Sequence, residues 1–276
     1  MCHFTAESEK KNNQKIDFMP IEKPTNQTAP VFFPKENYKI VKYMDLAKFI
    51  SLLHSKSLFF CRLDKLEDKF EGSSPKLNLE YNEKWYRQLY EQKHLKSSNI
   101  DESVANDVSV RKDMEEKFKS LNCICCWNKY NSESYALWKI YSEINKGIMI
   151  TSNIENLIES FDKTPENIQL SEVRYINHET DLIGKGNLNY PIIHKNIAYN
   201  YEDELRLIHL VKVENGLVYD WDSEINSSGK QLNNNLEILI DEIILSPYSP
   251  KWFYEIIQDL TIKYNLNKKI KYSVLK

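Results

Sequence analysis

Carboxylates and a guanidinium recur at alternate positions in Tyr201-Glu202-Asp203-Glu204-Leu205-Arg206-Leu207-Ile208. Read as a strand, this run sends Glu202, Glu204 and Arg206 to one face, the two acids about 7 Å apart, and Leu205 and Leu207 to the other. Like charges so spaced repel unless something cationic holds them, which makes the segment the first candidate for chemistry. Its plain structural reading is an edge strand with a solvated Glu/Arg face.

Other residue types bear on the same question. Asp68 and Glu71 lie three apart after a strand-like run, where they could act as ligands or a base, or simply cap a turn. With Glu204 and Arg206 they outline a metal-dependent phosphodiesterase, which needs acids converging within about 4 Å of a hard cation. Arg206 stands where such a site commonly has lysine; it binds phosphate but activates water poorly. Cys123 and Cys126 have a C-x-x-C spacing, yet on a strand Cys126 faces away from Cys123 and Cys125. Buried small hydrophobes are the expected role, and no metal is expected. None of the six histidines pairs with another at ligand spacing. Lys195, beside His194 and just upstream of the acidic strand, could contact a phosphate or be a solvated loop cation. Trp138 and Tyr141 share a helix face, an arrangement that serves either stacking or the core.

The chain has 276 residues and a formal charge of -3, which argues against a broad basic nucleic-acid surface but leaves room for a local groove. Six glycines form neither common phosphate-loop pattern. No apolar run is long enough to cross a membrane, and the polar start of the chain predicts no leader peptide. Five cysteines, an odd number and bunched, predict a reduced, cytoplasmic protein.

Periodicity predicts the elements that carry these residues. Residues 1–36, punctuated by Pro20, Pro24, Pro30 and Pro34, read as an irregular extension that drapes over the domain through Phe32 and Phe33. Residues 37–276 read as a single α+β domain. It opens with a strand over Tyr38–Tyr43, an Asp45-capped helix carrying Leu46, Phe49, Ile50 and Leu53, and a strand over Ser57–Cys61. A helical insertion over about 76–120 has a Tyr81, Trp85, Leu89 stripe and a second helix after Asp101, both expected to pack on the sheet. Strands follow at Cys123–Trp127, Lys146–Ile150 and Val173–Ile176, with helices at Tyr135–Tyr141 and Ile154–Phe161. Asn215-Gly216 signals a hairpin between Tyr201–Val213 and Leu217–Trp221. A strand over Leu236–Leu245, a helix over Pro250–Tyr264 and a strand over Ile270–Leu275 complete the chain.

The order of short motifs resembles a bacterial family catalogued only as a domain of unknown function, family 2971. The likeness rests on Lys42-Tyr43, the Glu67-Asp68-Lys69-Phe70-Glu71-Gly72 turn, Cys125, Trp138, Tyr141, Lys146-Gly147, Val173, Tyr175 and the Tyr201, Glu202, Glu204, Arg206 strand. It covers roughly residues 38–275 and departs at Glu67 and Lys69, where Asn and Pro are usual.

More loosely, the strand-helix-strand opening with a late Glu-x-Glu strand resembles an ADP-ribosyltransferase-like fold: a split, mostly antiparallel sheet with flanking helices. That resemblance implies NAD as substrate, Lys42 or Tyr43 gripping the adenosine side, and Trp138 or Tyr141 covering the nicotinamide. Glu204 would sit at the ribose, Glu202 would tend the acceptor, and Arg206 would hold a phosphate or pin Glu204. An ionised carboxylate beside the ribose would stabilise positive charge as the glycosidic bond breaks.

The leading expectation is therefore a transferase or hydrolase at the N-glycosidic bond of NAD or a related nucleotide, in a bacterial toxin or phage-defence effector. Its acceptor would be a protein, nucleic acid or water, with no membrane partner. The alternatives are the metal-dependent phosphodiesterase or nuclease, and a non-catalytic nucleotide-sensing or protein-interaction module whose acidic strand is a salt-bridge ladder. Oligomeric state is not legible in the sequence.

Overall fold

A computed structural model describes residues 20–21, 23, 31–68, 70–93, 97–184, 187–211 and 228–275. The expected hairpin at Asn215-Gly216, its second strand, Lys69 and the first nineteen residues lie outside that description.

The chain is mixed α+β with a mostly antiparallel sheet. β1 (Lys39–Met44) leads through Asp45, whose carboxylate accepts from Lys48 N at 2.7 Å, into α1 (Leu46–Ser55). Phe49, Leu52 and Leu53 bury one stripe of α1 against the sheet. β2 (Ser57–Arg62) follows. The insertion consists of α2 (Lys76–Gln92) and α3 (Ser97–Leu121), and α3 runs directly into β3 (Asn122–Lys129). Next come α4 (Tyr135–Tyr141), β4 (Ile148–Asn153) and α5 (Ile154–Glu159), then β5 (Gln169–Glu172) and β6 (Arg174–Ile176). The later part comprises α6 (Tyr190–Ile193), β7 (His194–Asn196), β8 (Glu204–Leu210), β9 (Gly229–Asn233), α7 (Leu236–Leu239), β10 (Glu242–Leu245), α8 (Lys251–Lys263) and β11 (Lys269–Tyr272).

Nine described strands form one sheet in the order β11-β10-β4-β1-β3-β2-β9, with β8 on the other flank of β3 and β5 beyond it. The sheet forks at β3. Cys123 and Ile124 pair with β2, whereas Asn128 and Lys129 pair with β1. The gap between them is bridged by Lys42, whose ammonium donates to the Cys126 carbonyl at 2.7 Å. One face carries the main core around Phe49, Phe60, Trp127, Leu205 and Phe253; the other carries two smaller apolar clusters.

Several expectations need correction. Tyr81 and Trp85 do not pack on the sheet: both are about half exposed. α2 is fastened instead by polar contacts, Arg87 to Asp101 at 2.7 Å, Tyr90 to Asp107 at 2.5 Å, and Asn78 to the backbone of Ile183. Leu236–Leu245 is a helical turn and then a strand. Asn235 caps α7 by accepting from Glu237 N, and that local bond overrides the β-propensity of the run. β6 falls within the strand expected over Val173–Ile176, whereas the short strands β5 and β9 carry too few residues for a clear alternation.

The described residues around Phe32 lie along the sheet. Phe32 N donates to Ser171 Oγ at 3.0 Å, and Glu172 N donates to Phe32 O at 2.7 Å, which covers the outer edge of β5.

Gly229 marks a close approach between β9 and β2. A Cβ there would lie 2.1 Å from the Phe60 carbonyl oxygen. Gly229→Ala is expected to destabilise the chain by on the order of 2 kcal/mol through overpacking, measured as a lower urea midpoint at unchanged slope.

Candidate functional site

The acidic strand is shorter than its pattern suggests. β8 begins at Glu204; Tyr201 and Glu202 belong to a 3-10 turn over Ile197–Glu202, and Asp203 adopts a left-handed conformation at φ 40°. Glu202 therefore does not share a strand face with Glu204. Strand alternation holds for Glu204 and Arg206, which face the same way opposite Asn128 and Cys126 of β3. β8 is paired on both edges, by β3 and β5, and Glu204 and Arg206 are both buried, so neither residue reaches open water.

Arg206 is fully buried and has three groups of partners. Its Nε and Nη2 reach the two oxygens of Glu204 at 2.9 and 3.0 Å, a bidentate pair. Nη2 also donates to Glu71 Oε1 at 3.0 Å and lies 2.8 Å from Oε2, the latter at an angle outside the hydrogen-bonding range. Nη1 donates to the Ile192 carbonyl. Lys195, from the edge of the small β6-β7 sheet, inserts its ammonium among all three acids. It sits 2.5 Å from Glu202, 3.1 Å from Glu71 and 3.3 Å from Glu204.

Three carboxylates thus face two cations, one formal negative charge in excess. Hydroxyl and backbone dipoles complete the shell. Tyr141 OH donates to Glu202 Oε1 at 2.8 Å, and Tyr175 OH accepts from Glu204 N at 2.9 Å. Lys195 also lies 4.8 Å from the centre of the Tyr199 ring, an arrangement that stabilises its charge. Burial alone would raise the Glu204 carboxyl, but Arg206 and Lys195 outweigh it and hold the group at about 2. Burial opposes the Lys195 charge too, and Glu204 and Glu71 more than compensate, raising its pKa. The Cys126 thiol beside Glu204 is pushed well up, first by burial and then by that carboxylate, so it is no thiolate nucleophile.

Six of the ten residues singled out in the sequence meet here: Glu71, Tyr141, Lys195, Glu202, Glu204 and Arg206. Asp68 stays at the margin, accepting from Phe70 N at 2.9 Å to close its own turn. Lys42 lies on the opposite face. Val41 pairs with Asn128 on the Glu204 side, so Lys42 turns toward Trp127 and the fork. Tyr43 is buried, its ring edge-on to Trp138 and its hydroxyl accepting from Ser134 N. Trp138 is fully buried with its indole donating to Glu133, so its ring has no face to offer a nicotinamide. Among the described residues no cluster of histidine, cysteine and acid side chains is disposed to hold a metal ion, and no helix is long and apolar enough to cross a membrane.

The neighbours of Arg206's partners open onto a cleft. Gly72 follows Glu71, and Pro191 precedes Ile192; both line a cavity of about 560 Å³ between α2, α3 and the segments around Ile183 and Pro191. Gly72 has φ 71°, and a Cβ on it would come within 3.3 Å of Lys119 Cγ, so the turn there demands glycine. Asn82 and Tyr86 from α2, with Met114 and Phe118 from α3, supply amide, aromatic and apolar surface to the cleft. None of these four was legible as a site residue, because Asn82 and Tyr86 look like ordinary exposed helix positions. The weak signal was Asn78. It is a buried polar side chain one turn away that fixes Ile183 by two hydrogen bonds.

Comparison with protein-family models, with curated proteins and with solved structures found no match in any of the three.

Two outcomes are expected. Removing one partner leaves a buried uncompensated charge, so Arg206→Met should cost about 3–5 kcal/mol in chemical denaturation. Glu204 has a depressed carboxyl, so its contribution is complete above the unfolded carboxylate range and fades as pH falls through about 4 towards 2. Glu204→Gln should flatten the pH dependence of the urea midpoint across that window.

Proposed function

We propose that this chain is a non-catalytic binding module that senses a nucleotide-sized ligand in the cleft between the α2–α3 hairpin and the segments around Ile183 and Pro191. One observation carries the reading: buried Arg206 grips Glu71 and the Ile192 carbonyl, the immediate neighbours of two cleft-wall residues, Gly72 and Pro191. The ion network then acts as a scaffold that fixes both walls to the sheet. The cleft volume lies within the range of about 300–1,000 Å³ common for small-molecule sites. The Tyr86 and Phe118 rings suit a planar base, the Asn82 amide can read its polar edge, and Arg111, which pairs with Glu115 of the same cleft at 3.4 Å, offers a guanidinium to a phosphate.

Transferase chemistry at Glu204, the reading implied by the ADP-ribosyltransferase resemblance, has the forked sheet in its favour. Against it, both Glu204 oxygens are taken by cations, and a ribose would have to displace Arg206 or Lys195 to reach them. Lys42, assigned to grip adenosine, fills the fork on the other face.

Calorimetric titration with ATP, ADP and NAD tests the proposal. At least one is expected to bind, and Asn82→Ala and Tyr86→Ala to weaken it at least tenfold while the fold persists by circular dichroism. NAD should remain intact. Nicotinamide release that Glu204→Gln abolishes would replace this reading with the transferase. Absence of nucleotide binding would end it.

A further inference from the structure

The sheet has free ends, and they are treated differently. β5 is covered along its outer side by the chain's own Phe32 segment, and Ile168 N likewise donates to Pro20 O. β11 closes the opposite end of the strand order, and among the described residues it pairs only with β10. Ser273 N donates inward to Leu245 O, so by alternation Lys269 and Lys271 also present their backbone to β10. Ile270 and Tyr272 consequently turn N–H and C=O outward. A strand edge left open in this way is a template for another strand.

The side chains beside that edge are sorted by sign and polarity. Tyr272 stacks on Tyr254 of α8 with ring centres 5.5 Å apart, which puts Ile270 and Tyr272 on the α8 side. There a cleft of about 750 Å³ runs between α8 and β11, and exposed Ile262 contributes to it. By alternation the Lys269 and Lys271 side chains belong to the opposite face of the strand, with residue 269 also bordering the cleft. Lys271 is paired with Glu242 at 2.5 Å and Lys268 with Glu237 at 3.6 Å, whereas Lys269 is exposed and has no acidic partner among the described residues. In sequence, residues 260–276 contain five lysines and no aspartate or glutamate.

We propose that β11 is a docking edge for an extended acidic peptide of a partner protein, which adds as a further strand beside Lys269–Tyr272. Main-chain bonds to Ile270 and Tyr272 supply the adhesion, and alternating side chains supply the selection. Apolar residues of the peptide fall on the α8 side, over Ile262, Ile270 and Tyr272; acidic residues fall beside Lys269 and Lys271. This surface is independent of the nucleotide cleft, and either proposal stands if the other fails.

The probe is a fluorescein-labelled eight-residue peptide alternating valine and glutamate, titrated into the full chain by fluorescence anisotropy. Saturable binding is expected, with amide exchange at Ile270 and Tyr272 slowed by the peptide. N-methylation of alternate peptide residues in the register that faces β11 should abolish binding. A lysine-for-glutamate peptide should bind at least tenfold more weakly, and Lys269→Glu should weaken the original about fivefold. Because Lys269 is an exposed surface side chain, this variant should fold normally, checked by its melting curve. The proposal is overturned by absence of binding, by binding indifferent to N-methylation, or by protection elsewhere in the chain. It is equally overturned if Ile270 and Tyr272 already exchange slowly in the free monomer, which would mean that the chain covers its own edge. Edge-to-edge self-association in sedimentation, with the peptide unable to compete, would also overturn it.

Discussion

A guanidinium cannot shed its charge in a protein, so an arginine with no exposed surface dictates what surrounds it. Arg206 meets that demand with segments remote from one another in sequence: the turn at Glu71, the Ile192 carbonyl and its own strand neighbour Glu204. Each partner satisfies a different edge of the same planar fork. The turn after β2, the segment before β7 and the centre of the sheet are thus held by one side chain. Lys195 then becomes necessary, because Glu71 and Glu204 together overfill what Arg206 alone can neutralise. Glu202 attaches last, through Lys195 and Tyr141.

Such networks are weak evidence for stability, since apolar replacements of similar volume often do as well. Their value is in geometry. A hydrophobic plug at position 206 could fill the space, but it could not fix the Ile192 carbonyl and the Glu71 carboxylate at defined distances. On the proposed reading, that distinction separates a scaffold from a catalyst. A carboxylate that steadies a sugar cation must turn at least one lone pair toward the substrate in a water-excluded site. Glu204 has neither oxygen to spare. Glu202 is buried as deeply as Glu204, and its oxygens are bound by Lys195 and the Tyr141 hydroxyl.

The sequence was legible where local physics decides the outcome. Asp45 with the Leu46, Phe49, Ile50, Leu53 spacing specifies a capped helix, and α1 is that helix. The Cys123–Trp127 run specifies a strand with Cys123 and Cys125 inside the main core, and β3 buries them so. Glu204 and Arg206 alternate as expected. What was not legible depends on partners far along the chain. Nothing in the spacing of Glu202 and Glu204 reveals that Asp203 turns left-handed between them, or that Glu71, 135 residues before Arg206, completes the cluster. Tyr81 and Trp85 have helical period yet stay about half exposed, because α2 is fastened through its polar side. Asn82 and Tyr86 acquire meaning only once α3 and the Pro191 segment are folded beside them.

The two surfaces proposed for binding sit at separate stations of one sheet. β11 is four strands away from β3 along the order β11-β10-β4-β1-β3, and at about 4.8 Å per strand that is roughly 19 Å before β8 and the ion network begin. Perturbations at such a distance with no shared partner normally add without coupling. The lysine face of β11 should therefore be open to change without disturbing Arg206, and the cleft open to change without disturbing β11. Coupling between the two would require an element that moves between two arrangements, and the strands that separate them are paired along their length and packed on both faces. A sheet with a fastened cleft at one end and, among the described residues, an unpaired edge at the other would let the two proposed sites be occupied independently.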